Sequence, residues 1–287
     1  MDAQARKYAL AAQRTEITEY HIYKRLARKT KNSKNAEVLN RIAGQEKQHA
    51  AFWELKTGQQ VKPDKWRLYR TLLLARFLGL SFALKLMEEK EGTGADNYVR
   101  QARYFPEAAD FAREEGEHEK EILKMLEGGN LTFVGSVVLG LNDALVELTG
   151  ALAGFTLALG ETKIISIAGL VTGISAALSM AASEFLSTKT EGDPRAKEAA
   201  LYTGISYLAT VILLILPFFL VDNKFVALGI VLVLALLIIW GFNYYVSVVK
   251  DLDFKKRFWE MASISMGVAA FSFLVGFGLN ALLGVDV

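Results

Sequence analysis

The chain has 287 residues, with 33 Lys and Arg against 31 Asp and Glu, three His and no Cys. The missing Cys excludes disulfide frameworks, thiolate zinc sites, iron–sulfur clusters and thiol catalysis. The charges are divided unevenly: residues 1–130 hold 24 of the Lys and Arg and 19 of the Asp and Glu, and the rest of the chain only 9 and 12. Two solvents are implied, water for the first half and lipid for the second, which excludes a single soluble globule, a nucleic-acid binder built on a basic surface, and a disordered chain.

Residues 3–30 carry apolar positions Tyr8, Ala12, Ile22 and Leu26 at helical spacing and predict an amphipathic helix. Asn32 and Ser33 punctuate, Ser33 being the candidate cap of a second helix over 34–57 that Gly58 ends. A third helix is expected from about 64 to 91, ending or bending at Gly92 and Gly94, and a fourth from Pro106 to about 126. Within the third, the run from Thr71 to Met87 is nearly apolar all round, but Arg76 and Lys85 interrupt it, so a buried bundle helix is favoured over a membrane span. Four helices in this length predict a four-helix bundle, with Gly128 and Gly129 closing a domain over 1–129. The N-terminal segment lacks the apolar core of a secretory signal, so the bundle is expected to stay on the side where it is made.

From residue 130 onward five apolar stretches of bilayer length follow, at about 132–159, 163–187, 199–221, 224–248 and 262–284. The fold class is therefore all-α, a bundle followed by a five-span membrane domain over 130–287. Lys189, Arg195 and Lys197 mark the second joint, and Lys250, Lys255, Lys256 and Arg257 the fourth. The other two joints carry only Lys163 and Lys224 at their edges. The positive-inside rule then puts the bundle in the cytoplasm and the C-terminus outside, in a multi-pass protein of the cell membrane.

The three His stand at 21, 49 and 118, and two of them close Glu-x-x-His pairs, Glu46 with His49 and Glu115 with His118. Residues at i and i+3 project to one side of a helix. Two such pairs plus a Glu from each other helix form the ligand set of a carboxylate-bridged dimetal site, and hard carboxylates with neutral imidazoles suit iron or manganese. On the first helix Glu16 is the chosen ligand, sharing a side with Tyr20 and Tyr23, and Glu19 is the runner-up. On the third helix Glu88 and Glu91 are chosen. Glu114, Glu117, Glu119 and Glu121 read as a solvated acidic face, with collection of metal by some of them as the alternative.

In the membrane half, acids inside spans are functional candidates, because each costs about 2.5–3.5 kcal/mol to insert at mid-membrane. Asp143 and Glu147 lie one helical turn apart in the first span, and Met180 and Glu184 do so in the second. Two acids on one face near a thioether and a third acid read as a cation path, the soft sulfur favouring transition metals. Gly150 and Gly154, like Gly169 and Gly173, are spaced for close helix packing within a subunit or across a dimer.

The first half resembles the ferritin-like superfamily, rubrerythrins most closely. The resemblance rests on Glu16 with Tyr23, the Glu46–His49 pair, the Glu88–Glu91 pair and the Glu115–His118 pair, across about residues 5–127. It implies a di-iron site that reacts with oxygen or peroxide; Mn2+ and Zn2+ are the alternative metals for this donor set. The four Cys of the rubredoxin module found in typical rubrerythrins have no counterpart here. The second half resembles the vacuolar iron transporter family, through residues 140–155 (GLNDALVELTGALAGF) and 168–187 (AGLVTGISAALSMAASEFLS). That resemblance implies a ferrous-ion path lined by Asp143 and Met180, coupling to protons, and a homodimer. The joint after the second span is too short for the Glu-rich helical domain that plant members insert there. The combination is similar to membrane-bound ferritin-like proteins implicated in iron export. The expected activity is therefore export of Fe2+, with Mn2+ as a second cargo. A membrane-anchored ferroxidase or peroxidase, and a metal sensor without transport, are the competing readings.

Overall fold

The computed structural model describes residues 2–87, 104–127 and 133–283. It divides into two compact units, Met1–Leu131 and Thr132–Val287. All regular structure in the described residues is helical.

In the first unit α1 (Ala3–Lys29) and α2 (Ser33–Thr57) form the main helix pair. The Asp2 carboxylate caps α1 by accepting from the Ala5 amide at 2.6 Å. Asn32, rather than Ser33, caps α2, its Oδ1 accepting from the amides of Lys34 and Asn35. An amide oxygen one residue earlier reaches two free N–H groups, and Ser33 becomes the first helical residue. Gly58 closes α2 with φ of 69°.

The expected single third helix is broken in two. α3 (Lys65–Phe77) starts on an Asp64 cap and ends beside Gly79, whose φ is 91°. Helical geometry resumes at 80 and runs to 87 within the described residues; this stretch is α4. A left-handed residue cannot continue a right-handed helix, and glycine adopts it without a Cβ clash. α5 (Ala108–Glu127) follows a turn at Pro106. Two surface pairs tie α5 and the turn before it to α2: Lys56 with Glu107 at 2.8 Å, and Arg41 with Glu121. Glu121, expected to be solvated, is thus held by a cation.

Two apolar clusters fill this unit. One gathers Ile22, Tyr23, Leu26, Leu39, Ile42, Leu68, Leu84 and Ile122. The other joins Ala5, Ala9, Ala12, Trp53, Phe105 and Ala108, with Phe52 and Phe111 against it. Along α1, α2 and α5 the positions between the clusters are the polar ones, Glu16, Glu46, His49, Glu115 and His118.

The second unit contains α6 (Val134–Ala158), α7 (Thr162–Thr190), α8 (Ala196–Leu220), α9 (Lys224–Lys250) and α10 (Phe254–Leu283). All five are long and apolar enough to cross a membrane. α10 begins earlier than expected, because Asp253 accepts from the Lys256 amide at 2.8 Å and starts the helix inside the basic joint. Lys255, Lys256 and Arg257 therefore occupy its first turn, from which long basic side chains snorkel to the interface. α6 is the central helix, packing on α7, α8, α9 and α10. The paired glycines are used within the chain: Gly150 and Gly154 face Val268 and Ser272 of α10, and Gly169 and Gly173 face Leu152, Val211 and Ile215. At Gly140 the approach to α8 is tightest, and an added Cβ would stand 2.3 Å from the Thr203 carbonyl oxygen. Backbone cannot yield as a flexible side chain can, so Gly140→Ala should destabilise the membrane unit by about 1–3 kcal/mol. Gly135→Ala, with nothing within 4 Å, should be neutral or slightly stabilising. Thermal unfolding of both variants in detergent reads the difference.

Candidate metal centre and membrane carboxylates

Glu16 of α1, Glu46 and His49 of α2, and Glu115 of α5 each bring one ligand atom into a group whose members lie within 4.8 Å of one another. His49 Nδ1 stands 3.6 Å from Glu16 Oε2, 3.6 Å from Glu46 Oε2 and 3.7 Å from Glu115 Oε1. His118 Nδ1 lies 3.2 Å from Glu46 Oε1 and 3.7 Å from Glu115 Oε2. Glu46 and Glu115 thus each turn one oxygen toward each imidazole. Glu88 and Glu91, the expected contribution of the third helix, lie outside the described residues.

The outward nitrogens are spoken for. His49 Nε2 is 2.8 Å from a Glu114 carboxylate oxygen, and His118 Nε2 is 2.9 Å from Gln45 Oε1. If each Nε2 carries the hydrogen and donates it outward, each Nδ1 lone pair is turned into the group. Glu114 was expected on a solvated face. Its position beside Glu115 gave the sequence no separate signal, since its role depends on the ring of His49 in another helix. Glu117 is exposed as expected. Glu19 is buried but ion-paired with Arg67 of α3, and it is not in the group.

These donors fit a metal. Glu46 Oε2, His49 Nδ1 and His118 Nδ1 are fully buried without a hydrogen-bond partner among the described residues, an arrangement that is costly for a protein to leave unsatisfied. Separations of 3.6–3.7 Å are too long for hydrogen bonds. They match donors that share an ion at roughly 2.0–2.2 Å each.

Without metal, protons do the compensating. Burial pushes the Glu16 carboxyl well above the usual range; His49 opposes this, while Glu46 and Glu115 add to it. Burial also works against charge on both histidines, but the surrounding carboxylates outweigh it. Glu115, Glu16 and Glu46 hold His49 protonated, and Glu115 and Glu46 raise His118 to about 9. For Glu115 burial raises the pKa, but His118 and His49 prevail and bring it down to about 2.

In the membrane unit, Asp143 and Glu147 lie one turn apart on α6. Asp143 is half-buried, whereas Glu147 is exposed on the surface of the single chain. The fully buried Tyr207 of α8 donates its hydroxyl to Glu147 Oε2 at 2.7 Å. On α7, Met180 packs partly buried against the apolar core, and Glu184 accepts from the Ser136 hydroxyl at 2.7 Å. Tyr207 and Ser136 were missed from sequence, for a hydroxyl within an apolar helix has no spacing signature.

Residues 9–71 match the Rubrerythrin family and residues 134–198 match the VIT family. No curated protein matches the chain. The chain is thus similar to rubrerythrins in its N-terminal part and to the VIT family in the first part of its membrane unit. The class is a multi-pass membrane protein for metal ions that carries a ferritin-like helical metal-binding domain.

The raised His118 pKa has a consequence for stability. A group raised from 6.5 to about 9 stabilises the folded state below 6.5 and loses that contribution as pH rises through about 9. The metal-free protein should therefore lose bundle stability between these values. The thermal midpoint, measured across that window, should fall less in His118→Gln.

Proposed function

We propose that this protein exports ferrous iron from the cytoplasm, with Mn2+ as a second cargo, by exchange for protons, and that the bundle binds the metal on the cytoplasmic side. The observation that carries the reading is Glu147, a carboxylate on an apolar membrane helix, bonded by Tyr207 and one turn from Asp143. A structural anchor has no use for such groups, which are costly in lipid. Carboxylates that must lose protons to bind a cation exchange the two charges naturally, so Asp143 and Glu147 would carry protons one way and metal the other. Met180 adds the soft donor and Glu184 a carboxylate near one end of α7.

The exposure of Glu147 supports a homodimer, since a second copy over this face would shield the acid from lipid. Orientation follows the basic residues: Lys189, Arg195, Lys197, Lys250, Lys255, Lys256 and Arg257 gather at the helix ends and joints taken as cytoplasmic. In the bundle, Glu16, Glu46, His49, Glu115 and His118 would hold a di-iron centre, with Glu88 and Glu91 completing it. Zn2+ or Mn2+ would fit the same donors. Bound iron would supply redox chemistry toward oxygen or peroxide. The chain's own residues bind the cations, orient the imidazoles through Glu114 and Gln45, and give up the protons that His49 and His118 hold.

Two measurements test this. In proteoliposomes, Fe2+ flux should be accompanied by opposite proton flux, and Asp143→Ala and Met180→Ala should abolish both. Flux unchanged in these variants would refute the path, and oxygen-dependent Fe2+ oxidation without any flux would instead assign a membrane-anchored oxidase. In binding titrations of the full chain, Glu46→Ala should remove tight metal binding by the bundle. Glu114→Gln should weaken it about 10–100-fold, as loss of an outer partner of a ligating histidine does.

A further inference from the structure

α3 turns an apolar face away from the bundle. Trp66, Tyr69, Leu73 and Phe77 recur at spacings of three and four and are 76%, 60%, 56% and 73% exposed. Such residues share one side of a helix. The opposite side, Leu68 and Thr71, is buried in the bundle. Single exposed apolar residues are ordinary, but a contiguous aromatic stripe marks an interaction surface.

The flanks of the stripe are cationic. Lys65 and Arg76 are exposed and Arg70 is half-buried. The Arg25 guanidinium of α1 lies 5.9 Å from the centre of the Tyr69 ring. α3 contains no acid, and the carboxylate of its cap, Asp64, is engaged by the Arg67 amide at 3.0 Å. Trp, Tyr, Phe and Leu on one side with Lys and Arg beside them is the composition of a helix lying in a membrane interface.

We propose that the outward face of α3 docks on an anionic lipid surface. Charge decides between this occupant and a second copy. Pairing α3 with itself would bring like charges together, whereas an anionic leaflet complements every cation on the flanks. The chain also carries five bilayer-length helices, so a lipid surface is permanently at high effective concentration for this face. The stripe inserts its rings at headgroup depth, and the Lys and Arg side chains reach the phosphates.

The absence of Cys makes the test direct. Leu73→Cys and Trp66→Cys, each carrying a spin label on the otherwise unchanged full chain, are placed in discs of phosphatidylcholine with or without phosphatidylserine. Lys34→Cys, at the exposed start of α2, is the reference. In anionic discs the labels at 66 and 73 should become accessible to oxygen and protected from a water-soluble nickel complex, unlike the reference. Replacing the exposed Lys65 and Arg76 by Gln should lower the ratio of docked to undocked label by about fivefold per cation. Labels equally open to nickel in all discs would overturn the proposal. So would labels protected in lipid-free detergent with dipolar coupling between copies, the signature of a second chain on this face.

Discussion

Everything in the first unit depends on the burial of carboxylates and imidazoles between two apolar clusters. Ionisable groups out of water must be compensated by partners, protons or a metal. Glu16, Glu46, His49, Glu115 and His118 are compensated chiefly by one another. His49 and His118 are held protonated among carboxylates, and Glu16 is pushed toward its neutral form. A divalent cation would provide the same positive charge with directed bonds, and the inward Nδ1 atoms of His49 and His118, buried without hydrogen bonds among the described residues, are suited to donate to it. The apolar clusters on either side keep water out, and the outward bonds to Glu114 and Gln45 set the ring orientations. Affinity for metal and the cost of its absence therefore have one origin.

The membrane unit meets the same cost in a different solvent. α6 is central, and it also carries the acids. Its glycines let α8 and α10 approach closely, which places the Tyr207 hydroxyl on Glu147. Small residues and acidic residues on one helix are thus coupled: the first bring neighbouring backbones near enough for their hydroxyls to reach the second. The spaced glycines are consumed inside the chain, so the proposed homodimer would be built from other surfaces, and the exposed Glu147 gives its face an electrostatic reason to be covered.

Much of this was legible from residue order alone. The change of solvent near residue 130 is written in charge density, and a helix long enough to cross a bilayer has few other readings. The Glu46–His49 and Glu115–His118 pairs were legible because i, i+3 spacing is local geometry. The break at Gly79 was not, because the apolar run from Thr71 to Met87 continues across it and periodicity cannot register one left-handed residue. Nor was the division of labour between Glu16 and Glu19. Both are buried carboxylates on α1, and contacts with other helices tell them apart: Glu16 stands beside His49, whereas Glu19 pairs with Arg67, 48 residues away.

The sequence by itself determined the fold class, the change in charge density near residue 130, the five helices of bilayer length and the two Glu-x-x-His pairs, since each of these depends on composition or on spacing along one helix. The tertiary structure decided which groups meet: Glu114 with His49, Gln45 with His118, Tyr207 with Glu147, and Arg67 with Glu19. These are contacts between helices, fixed by rotation and close approach of whole elements. No local pattern encodes the angle at which one helix presents a side chain to another.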